Sequence, residues 1–431
     1  MTIFTFLTED GTTEVQYSSE HHMLLSGGKE YFTEEVDVTE QRSHVFKRTK
    51  LRNPKVLRIQ LGQKCNMACS YCLQEPLGDK LDSSWSDAME MAKFLHDLQM
   101  TLDFSDLERI ELWGGEPLLY WRKIQTILAE LDNEKITWSM VTNGTKLRCH
   151  HVGEIRNTKG GWNIAISHDG LGHQALRGKE DPFKQDASKR AIDMLLSPNP
   201  DGCNISVSIN SMISENNWDV YANLKYFHAI NPALMVNFEL LSAYDDSSMS
   251  HVLDKNLDRH MESLDRVIRS CHFAQVKGEK APMANNSLVH FSFGFYPLLQ
   301  AFKVKNLQPD HYGCGVDNDQ VLSVDLQGKL LPCQNTSAAD FGFGDLQTID
   351  VAEMGSKVQF TDKSGCETCP VVRLCKRGCP LNSTSSHFFK KNCKARYGHY
   401  MQLLQTTLTL GLNQSAPFRL KRNDLDIRII E

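Results

Sequence analysis

The chain has 431 residues, of which 41% are hydrophobic and 23% are charged. At roughly 150 residues per domain this length predicts two or three domains, and the ordinary globular composition excludes a wholly disordered or fibrous protein. The net charge of −6 argues against a nucleic-acid-binding surface. No apolar run approaches the roughly 18 residues of a membrane helix, and residues 1–10 lack the basic and apolar parts of a secretion signal. We therefore expect a cytoplasmic protein with neither nucleic acid nor a membrane as partner.

Residues 1–55 are the first predicted segment. Short β-rich runs are separated by turn signals at Asp10-Gly11 and Gly27-Gly28. The pattern predicts a small β-rich N-terminal extension. Because short strands can pair with an extended peptide, this segment is also a candidate for binding a leader peptide by strand addition.

Residues 56–245 alternate β-rich runs with helical periods. Strands are predicted at 56–61, 108–113, 136–141, 162–166, 204–209 and 234–238. Apolar stripes between them predict helices, one through Trp85, Met89, Ala92 and Leu95 and one through Ala187, Ala191, Met194 and Leu195. The repeat has the length of a βαβ unit, roughly 30 residues. We therefore predict an α/β fold with a parallel sheet, as a partial (β/α)6 version of the TIM-type barrel.

The chain then changes character twice. Leu253, Leu257, Met261, Leu264 and Ile268 predict a long amphipathic helix, and a second helix is predicted at 288–304, so residues 246–310 are interpreted as a helical linker. From residue 311 the alternation of strand and helix patterns ends, and the sequence is instead rich in glycine and contains seven cysteines. This predicts a loop-rich metal-binding domain at 311–400. A C-terminal helix and tail are expected at 401–431.

The first cysteine cluster is Cys65-x3-Cys69-x2-Cys72, directly after the first predicted strand. A reducing compartment does not hold cysteines as structural disulfides, so clustered spacing indicates metal binding. Three thiolates are one short of a closed tetrahedral zinc site or a fully ligated four-iron cluster. Either a distant histidine completes a zinc site, or one iron position stays open for a substrate.

The second array contains seven cysteines. They are Cys314, Cys333, Cys366, Cys369, Cys375, Cys379 and Cys393. The spacing of the local block from Cys366 to Cys379 is also that of a structural zinc ribbon. Two closed four-iron clusters need eight thiolates, so the array is one short.

Both arrays resemble those of a known family. The first, with Tyr71 directly before its third cysteine, resembles the cluster motif of radical S-adenosylmethionine (SAM) enzymes. The second resembles the seven-cysteine motif of the SPASM domain, which is named for peptide and sulfatase maturases. The resemblance covers about residues 56–400. It implies three [4Fe-4S] clusters, one of which binds SAM at Cys65, Cys69 and Cys72.

The resemblance also implies how the second array divides. Cys366, Cys369, Cys375 and Cys393 would hold an outer auxiliary cluster, and Cys314, Cys333 and Cys379 an inner one. No cysteine lies between Cys271 and Cys314. The fourth inner position is therefore expected to be open, or filled by a group such as His311 or a substrate atom.

Further motifs follow the predicted strands. They are Gly114-Gly115-Glu116-Pro117, Thr142-Asn143-Gly144, Ser167 with Asp169 and Arg177, and Asn210. They resemble the family's SAM-binding stretches, in which glycine admits the ligand and polar groups receive its ammonium, carboxylate and ribose. Each alone fits an ordinary strand-to-helix cap. Together they fall at the carboxyl ends of strands, where barrel active sites assemble.

The implied activity is that of a radical SAM oxidoreductase acting on peptides. Reductive cleavage of SAM would give a 5′-deoxyadenosyl radical that abstracts hydrogen from a ribosomally made precursor peptide, installing a thioether, carbon–carbon or carbon–oxygen crosslink. The expected partners are this peptide, an electron donor such as flavodoxin or ferredoxin, and a separate leader-recognition protein. Catalytic side chains stay unassigned, with Asp169, Glu239 and Tyr244 as candidates by position only. Two alternatives are a formylglycine-forming enzyme similar to sulfatase maturases and a non-enzymatic metal-binding scaffold.

Overall fold

The fold is described from a computed structural model of the chain. The described residues are 3–18, 23–26, 29–30, 48–74, 88–200, 202–232, 234–243, 245–276, 298, 314–355, 366, 369–376, 378–383 and 385–421. The turn at Gly27-Gly28 and nearly all of the predicted helix at 288–304 lie outside them. Among the described residues, no helix combines the length and the apolar character needed to cross a membrane.

Strands and helices alternate through the middle of the chain. The strands are β1 (Ile3–Thr8), β2 (Glu14–Ser18), β3 (Met23–Ser26), β4 (Lys29–Glu30), β5 (Val56–Gln60), β6 (Arg109–Trp113), β7 (Thr137–Thr142), β8 (Gly161–Ser167), β9 (Ile205–Ile213), β10 (Met235–Leu240), β11 (Val321–Asp325), β12 (Lys329–Leu331), β13 (Gly344–Asp345) and β14 (Phe418–Leu420). The helices are α1 (Ala88–Thr101), α2 (Trp121–Leu131), α3 (Cys149–Arg156), α4 (His173–Arg177), α5 (Asp186–Leu196), α6 (Val220–Ile230), α7 (Leu257–Val276), α8 (Ala338–Phe341), α9 (Val372–Cys375) and α10 (His387–Gly411). All six predicted strands are therefore confirmed as β5 to β10.

The chain divides into two compact units. The first unit contains residues 1–45, 212–313 and 359–431, and the second contains residues 46–211 and 314–358. The domain boundaries expected from the sequence stay a prediction.

The second unit is built on a sheet of mainly parallel strands. Strands β5 to β9 pair in parallel in chain order. Strand β11 comes from the cysteine-rich part of the sequence and pairs in parallel with β5, and β12 and β13 extend this edge antiparallel. The predicted α/β class with a parallel sheet is confirmed.

The two faces of this sheet differ in chemistry. Along β7 and β8 the buried residues alternate with more exposed ones. The buried face carries large apolar side chains such as Trp138 and Trp162, which stack at 5.9 Å between ring centroids. On the other face Ser139, Asn163 and Ser206 are register partners across three strands, and Asn163 and Ser206 are exposed. This alternation, unlike the continuous apolar run of a strand buried on both faces, fits a sheet that has helices on one face only.

Helix α1 differs from its prediction in the face it buries. Met91, Phe94, Leu95 and Leu98 are buried, whereas Met89 is 77% exposed. The predicted stripe through Met89 is therefore wrong by part of a turn. The reason is that apolar residues lie on two adjacent faces of this helix, so the apolar periodicity of the sequence fits either face as the buried one.

Two glycines set how closely the ends of β5 and β6 approach. A Cβ atom on Gly115 would lie 2.3 Å from the Gln63 carbonyl oxygen, and one on Gly114 would lie 2.9 Å from the Gly62 carbonyl oxygen. Without those atoms, Gly115 N donates to Gly62 O at 3.0 Å and Glu116 N donates to Lys64 O at 2.8 Å. The glycines therefore let the two strand-end loops bind each other through their backbones.

The first unit contains a separate antiparallel sheet. Its strand order is β14-β1-β2-β3-β4, so the C-terminal strand β14 pairs with the N-terminal strand β1. Phe6, Tyr17 and Phe418 are buried in this sheet. The β-rich character expected for the N-terminal segment is thus present, but the sheet includes a strand from the far end of the chain.

Two buried histidines join helices α7 and α10 of the first unit. His260 Nε2 and His399 Nδ1 are 2.9 Å apart and share one hydrogen bond, and His260 Nδ1 donates to the Trp218 carbonyl at 2.7 Å. Burial lowers the pKa of His260 to about 4, and burial together with the charges of His260 and Arg396 lowers that of His399. Both rings are therefore neutral in the folded protein at neutral pH.

The histidine pair predicts a loss of stability in mild acid. Unfolded histidine binds a proton below its ordinary pKa of 6.5, whereas folded His260 does so only near pH 4. The stabilisation is complete above pH 6.5 and declines as the pH falls towards 4, by about 3 kcal/mol for His260 alone. Chemical denaturation of the wild type and of a His260→Leu/His399→Leu variant across this range measures it. An equally steep pH dependence in both proteins would contradict the prediction.

Gly115→Ala is expected to destabilise the second unit. The added methyl group meets backbone atoms, which cannot move without breaking the hydrogen bonds between the two loops, so we expect a loss of about 1–3 kcal/mol. The matched control is Gly153→Ala in α3, where no heavy atom lies within 4 Å of the added Cβ. Denaturation curves for both variants test the prediction, and equal stability of the two would refute it.

Candidate active site at the carboxyl ends of the parallel strands

The buried carboxylate of Glu116 joins the loops that follow β6 and β7. Its Oε1 accepts from Thr142 Oγ1 at 2.6 Å and from Leu118 N at 3.0 Å, and its Oε2 accepts from Asn143 N at 2.7 Å. Glu116 is 1% exposed. Burial raises its pKa, and the three donors oppose that shift. The side chain thus holds the Thr142-Asn143 turn in place and caps the short helix that begins at Pro117.

This geometry changes the interpretation of the Gly114-Gly115-Glu116-Pro117 motif. The sequence resemblance implies that glycine admits a ligand, but in this chain the close approach at Gly115 is made by the backbone of residues 63–64. The Glu116 oxygens already accept three hydrogen bonds. A direct role of these four residues in SAM binding stays a prediction.

Tyr120 and Lys123 also hold the segment that leads to the first cysteine. The Lys64 N–H donates to the Tyr120 hydroxyl at 2.7 Å, and Lys123 Nζ donates to the Leu61 carbonyl at 3.1 Å. Lys123 lies 4.9 Å from the centre of the Tyr120 ring. Sequence analysis missed both residues, because they lie inside an ordinary helical run with no motif of their own.

The three cysteines of the first cluster lie in one neighbourhood. Cys65 is exposed, and Cys69 and Cys72 are half-buried. Burial, with the charges of Cys72 and Cys65, raises the pKa of the Cys69 thiol to about 11. The three thiols are therefore close enough to influence one another and remain partly accessible.

Hydrogen-bond donors surround two of these sulfur atoms. Met67 N donates to Cys65 Sγ at 3.4 Å, and Asn143 Nδ2 donates to it at 3.8 Å. Arg177 Nη1 donates to Cys69 Sγ at 3.9 Å. Donors to sulfur fit thiolate ligands, since hydrogen bonds to sulfur are one means by which proteins tune iron–sulfur clusters. The donor set thus fits a cluster at these cysteines.

Asp169 connects the aromatic residue of the motif to this arginine. Its Oδ2 accepts from the Tyr71 hydroxyl at 2.7 Å and from Arg177 Nε at 2.8 Å. The Asp169 side chain is fully buried, and that of Arg177 is 11% exposed. The structure therefore brings Tyr71 and Arg177 together around Asp169. A buried carboxylate with these two partners is better suited to hold Arg177 than to act as a catalytic base.

Asn143 forms a second small network with the cluster loop. Its Nδ2 donates to Asn66 Oδ1 at 3.1 Å, and Asn66 Nδ2 donates to Thr145 Oγ1 at 2.8 Å. Asn66 and Thr145 were not singled out by the sequence, although Asn66 directly follows Cys65. Ser167 ends β8, and its register partner Asn210 lies inside β9, which continues to Ile213 rather than ending before Asn210 as predicted; both residues are half-buried. Their predicted contact with SAM stays untested.

Cys314 and Cys333 of the second array lie in the second unit. Arg58 Nη1 donates to the Cys314 carbonyl at 2.6 Å, and its Nε pairs with Glu111 Oε2 at 2.7 Å. Asn335 N donates to Cys333 Sγ at 3.4 Å. Burial raises the pKa of the Cys314 thiol, and the charge of Arg58 opposes that shift. Arg58 thus ties the loop of Cys314 to the sheet.

The other five cysteines of the array lie in the first unit. Cys366, Cys375, Cys379 and Cys393 line one cavity there. Burial, with the charges of Cys375, Cys393 and Cys366, raises the pKa of the Cys369 thiol to about 12. The four cysteines assigned to the outer cluster are therefore neighbours, and Cys379 lines the same cavity. Their division between two clusters stays a prediction.

Some of the other residues named in the sequence analysis lie outside the described part of the chain. His311 and Tyr244 lie outside the described residues. Glu239 lies on β10 of the first unit with an exposed side chain. Three cysteines lie outside both arrays: Cys271 is buried in α7, Cys203 is half-buried and Cys149 is exposed. Cys149 is the first residue of α3, where its side chain need not enter the core.

In the described part of the chain, no three His, Cys, Asp or Glu side chains lie close enough to hold a single metal ion. A four-iron cluster is larger than one ion, because each cysteine binds a different iron.

Comparison with known proteins identifies relatives of this chain. No protein-family model matches it. The radical SAM cyclopropyl synthase TigE of Paramaledivibacter caminithermalis is 20% identical over 343 residues, which are 75% of this chain and 67% of TigE. The GTP 3′,8-cyclase of Campylobacter jejuni subsp. doylei is 25% identical over 287 residues, which are 64% of this chain and 79% of the cyclase.

The fold also has solved neighbours. The protein anSMEcpe, solved with bound AdoMet, aligns with a TM-score of 0.59 at 16% identity over 84% of this chain and 96% of its own. A further structure of anSMEcpe holds both AdoMet and the Cp18Cys peptide, with a TM-score of 0.57 and 16% identity over 83% of this chain and 99% of its own. The resemblance predicted from the cysteine motifs is confirmed: the chain is similar in sequence to the radical SAM cyclopropyl synthase TigE and similar in fold to anSMEcpe with bound AdoMet.

Proposed function

We propose that the chain is a maturase that cleaves SAM reductively and modifies a ribosomally made peptide. It would act in the cytoplasm and would not bind nucleic acid. The reaction abstracts a hydrogen atom from the peptide and ends in a crosslink, either a thioether or a carbon–carbon or carbon–oxygen bond. The observation that carries the proposal is the group of three thiols, Cys65, Cys69 and Cys72, in the loop after β5, with hydrogen-bond donors to the sulfur atoms of Cys65 and Cys69.

The residues of the second unit have defined tasks in this proposal. Cys65, Cys69 and Cys72 would hold a [4Fe-4S] cluster, and because they supply three thiolates, one iron would remain available to SAM. Asn143 and Arg177 donate to two of the thiolates. Glu116 fixes Asn143 through its backbone, and Asp169 fixes Arg177. When bound, the first cluster and SAM supply the 5′-deoxyadenosyl radical, and two auxiliary clusters supply an acceptor for the electron that the substrate releases.

A peptide is preferred over a nucleotide as the substrate. The anSMEcpe structures include complexes with the Cp18Cys and Kp18Cys peptides, and each covers 83% of this chain. The cysteine array beyond residue 310 resembles that of peptide and protein maturases. The row of Ser139, which is half-buried, and the exposed Asn163 and Ser206 offers hydroxyl and amide groups suited to peptide backbone. The relationship to GTP 3′,8-cyclase makes a nucleotide the second candidate.

The N-terminal sheet limits how a leader peptide could bind. Strands β1, β2 and β3 each have a neighbour on both sides. Among the described strands β14 and β4 are the edges of this sheet, so a peptide that joins it there by strand addition would pair with one of these two. Both strands are short, at three and two residues, so a separate leader-recognition protein remains part of the proposal. An electron donor such as flavodoxin or ferredoxin is the third expected partner.

Anaerobically reconstituted protein is expected to convert SAM to 5′-deoxyadenosine and methionine when dithionite supplies electrons. Cys69→Ala should abolish this cleavage, because the cluster loses one of three thiolates. Cys149→Ala removes an exposed cysteine outside both arrays and should keep wild-type activity. Chromatographic measurement of 5′-deoxyadenosine tests the prediction. Equal yields from the wild type and Cys69→Ala would refute the proposed cleavage.

The product decides between the candidate substrates. Each crosslink removes two hydrogen atoms from the peptide, so mass spectrometry of short peptides encoded beside this gene should show that loss without cleavage of the chain. GTP is incubated in a parallel reaction. A cyclised nucleotide with unmodified peptide would favour the nucleotide candidate and contradict peptide maturation. Conversion of one cysteine or serine side chain to the aldehyde of formylglycine, detected with an aldehyde-reactive reagent, would favour the formylglycine alternative instead.

A further inference from the structure

Arg396 of helix α10 contacts the cysteine-lined cavity of the first unit. Its Nε donates to Cys375 Sγ at 3.4 Å, and its Nη2 donates to the Cys375 carbonyl at 3.3 Å. The half-buried side chain lines the same cavity as Cys366, Cys379 and Cys393. The guanidinium therefore presents a positive charge directly to a thiol that the sequence assigns to the outer auxiliary cluster.

The helix geometry explains why this arginine reaches the cavity. Cys393 and Arg396 are three residues apart on α10, so they lie on the same face of the helix. Tyr400, one turn further, has its ring centre 5.9 Å from the Arg396 guanidinium carbon. One helix thus supplies a predicted cluster ligand and a charged donor to a second predicted ligand.

A charged donor to a cluster thiolate has a defined electrostatic effect. The reduced cluster carries one more negative charge than the oxidised cluster, so a nearby positive charge stabilises the reduced form more strongly. Hydrogen bonds to sulfur act in the same direction and are among the protein's means of setting cluster potentials. Arginine suits this task because its guanidinium keeps its charge.

We propose that Arg396 is a positioning residue of the outer auxiliary cluster and raises its reduction potential by donating to Cys375. The inference rests on the proposed function for one point, the assignment of Cys366, Cys369, Cys375 and Cys393 to a four-iron cluster. A higher potential makes this cluster a better acceptor for the electron that a substrate radical releases.

A purely structural role for Arg396 makes a different prediction. Its bond to the Cys375 carbonyl lies at the end of α9, where Lys376 adopts a left-handed conformation with φ of 52°. If Arg396 only held this helix end, its removal would reduce the iron content without changing the potential of the clusters that form. The potential is therefore the quantity that separates the two roles.

The test is a redox titration of the reconstituted holoenzyme, followed by electron paramagnetic resonance, without SAM or peptide. Arg396→Gln should lower the reduction equilibrium constant of the outer cluster about tenfold, which is about 59 mV for one electron. Arg396→Lys keeps the charge and should give a smaller shift. The matched control is Lys394→Gln, which removes a charge that is 53% exposed on the same helix and should leave the potential unchanged. Loss of the signal in Cys369→Ala assigns it to the outer cluster.

Three results would overturn the inference. The first is a wild-type potential in Arg396→Gln with full iron content. The second is loss of iron in both Arg396→Gln and Arg396→Lys, which is the result expected of a purely structural role. The third is a wild-type spectrum with no signal that depends on Cys369. Because the titration contains neither SAM nor peptide, a failure of the proposed SAM cleavage leaves its outcome unchanged.

Discussion

The candidate site depends on the packing of three strand-end loops against one another. Gly114 and Gly115 let the loop after β6 form backbone hydrogen bonds with the loop after β5, which carries the first cysteines. The buried carboxylate of Glu116 then binds the loop after β7 through Thr142 and Asn143. Because Asn143 donates to Cys65 Sγ, this packing extends to a predicted cluster ligand.

Charge balance is the second constraint on the site. A thiolate cluster adds negative charge in a place where burial already raises thiol pKa values, as at Cys69 and Cys369. Each unit places an arginine beside a cysteine, with Arg177 donating to Cys69 Sγ and Arg396 to Cys375 Sγ. An isolated buried charge is costly, so each arginine and its cysteines compensate one another. Asp169 further balances Arg177.

Much of this fold could be predicted because its signals are local. Each of the six central strands is marked by apolar residues within a short run of sequence. Each cysteine motif is likewise recognised from the spacing of cysteines that lie a few residues apart. The strand pairings of β11 with β5 and of β14 with β1 could not be predicted, because they join residues more than 250 positions apart. The same limit applies to side-chain contacts: the sequence did not predict that Glu116 accepts hydrogen bonds from the Leu118 backbone and from the Thr142 hydroxyl.

The claim on which all of this depends is that Cys65, Cys69 and Cys72 hold a cluster with one iron free to bind SAM. Mössbauer spectroscopy of protein reconstituted with enriched iron, recorded before and after SAM is added, tests it most directly. We expect SAM to change the signal of a single iron site, and this change should be absent in protein that lacks the three cysteines. A wild-type spectrum that is identical with and without SAM would contradict the claim.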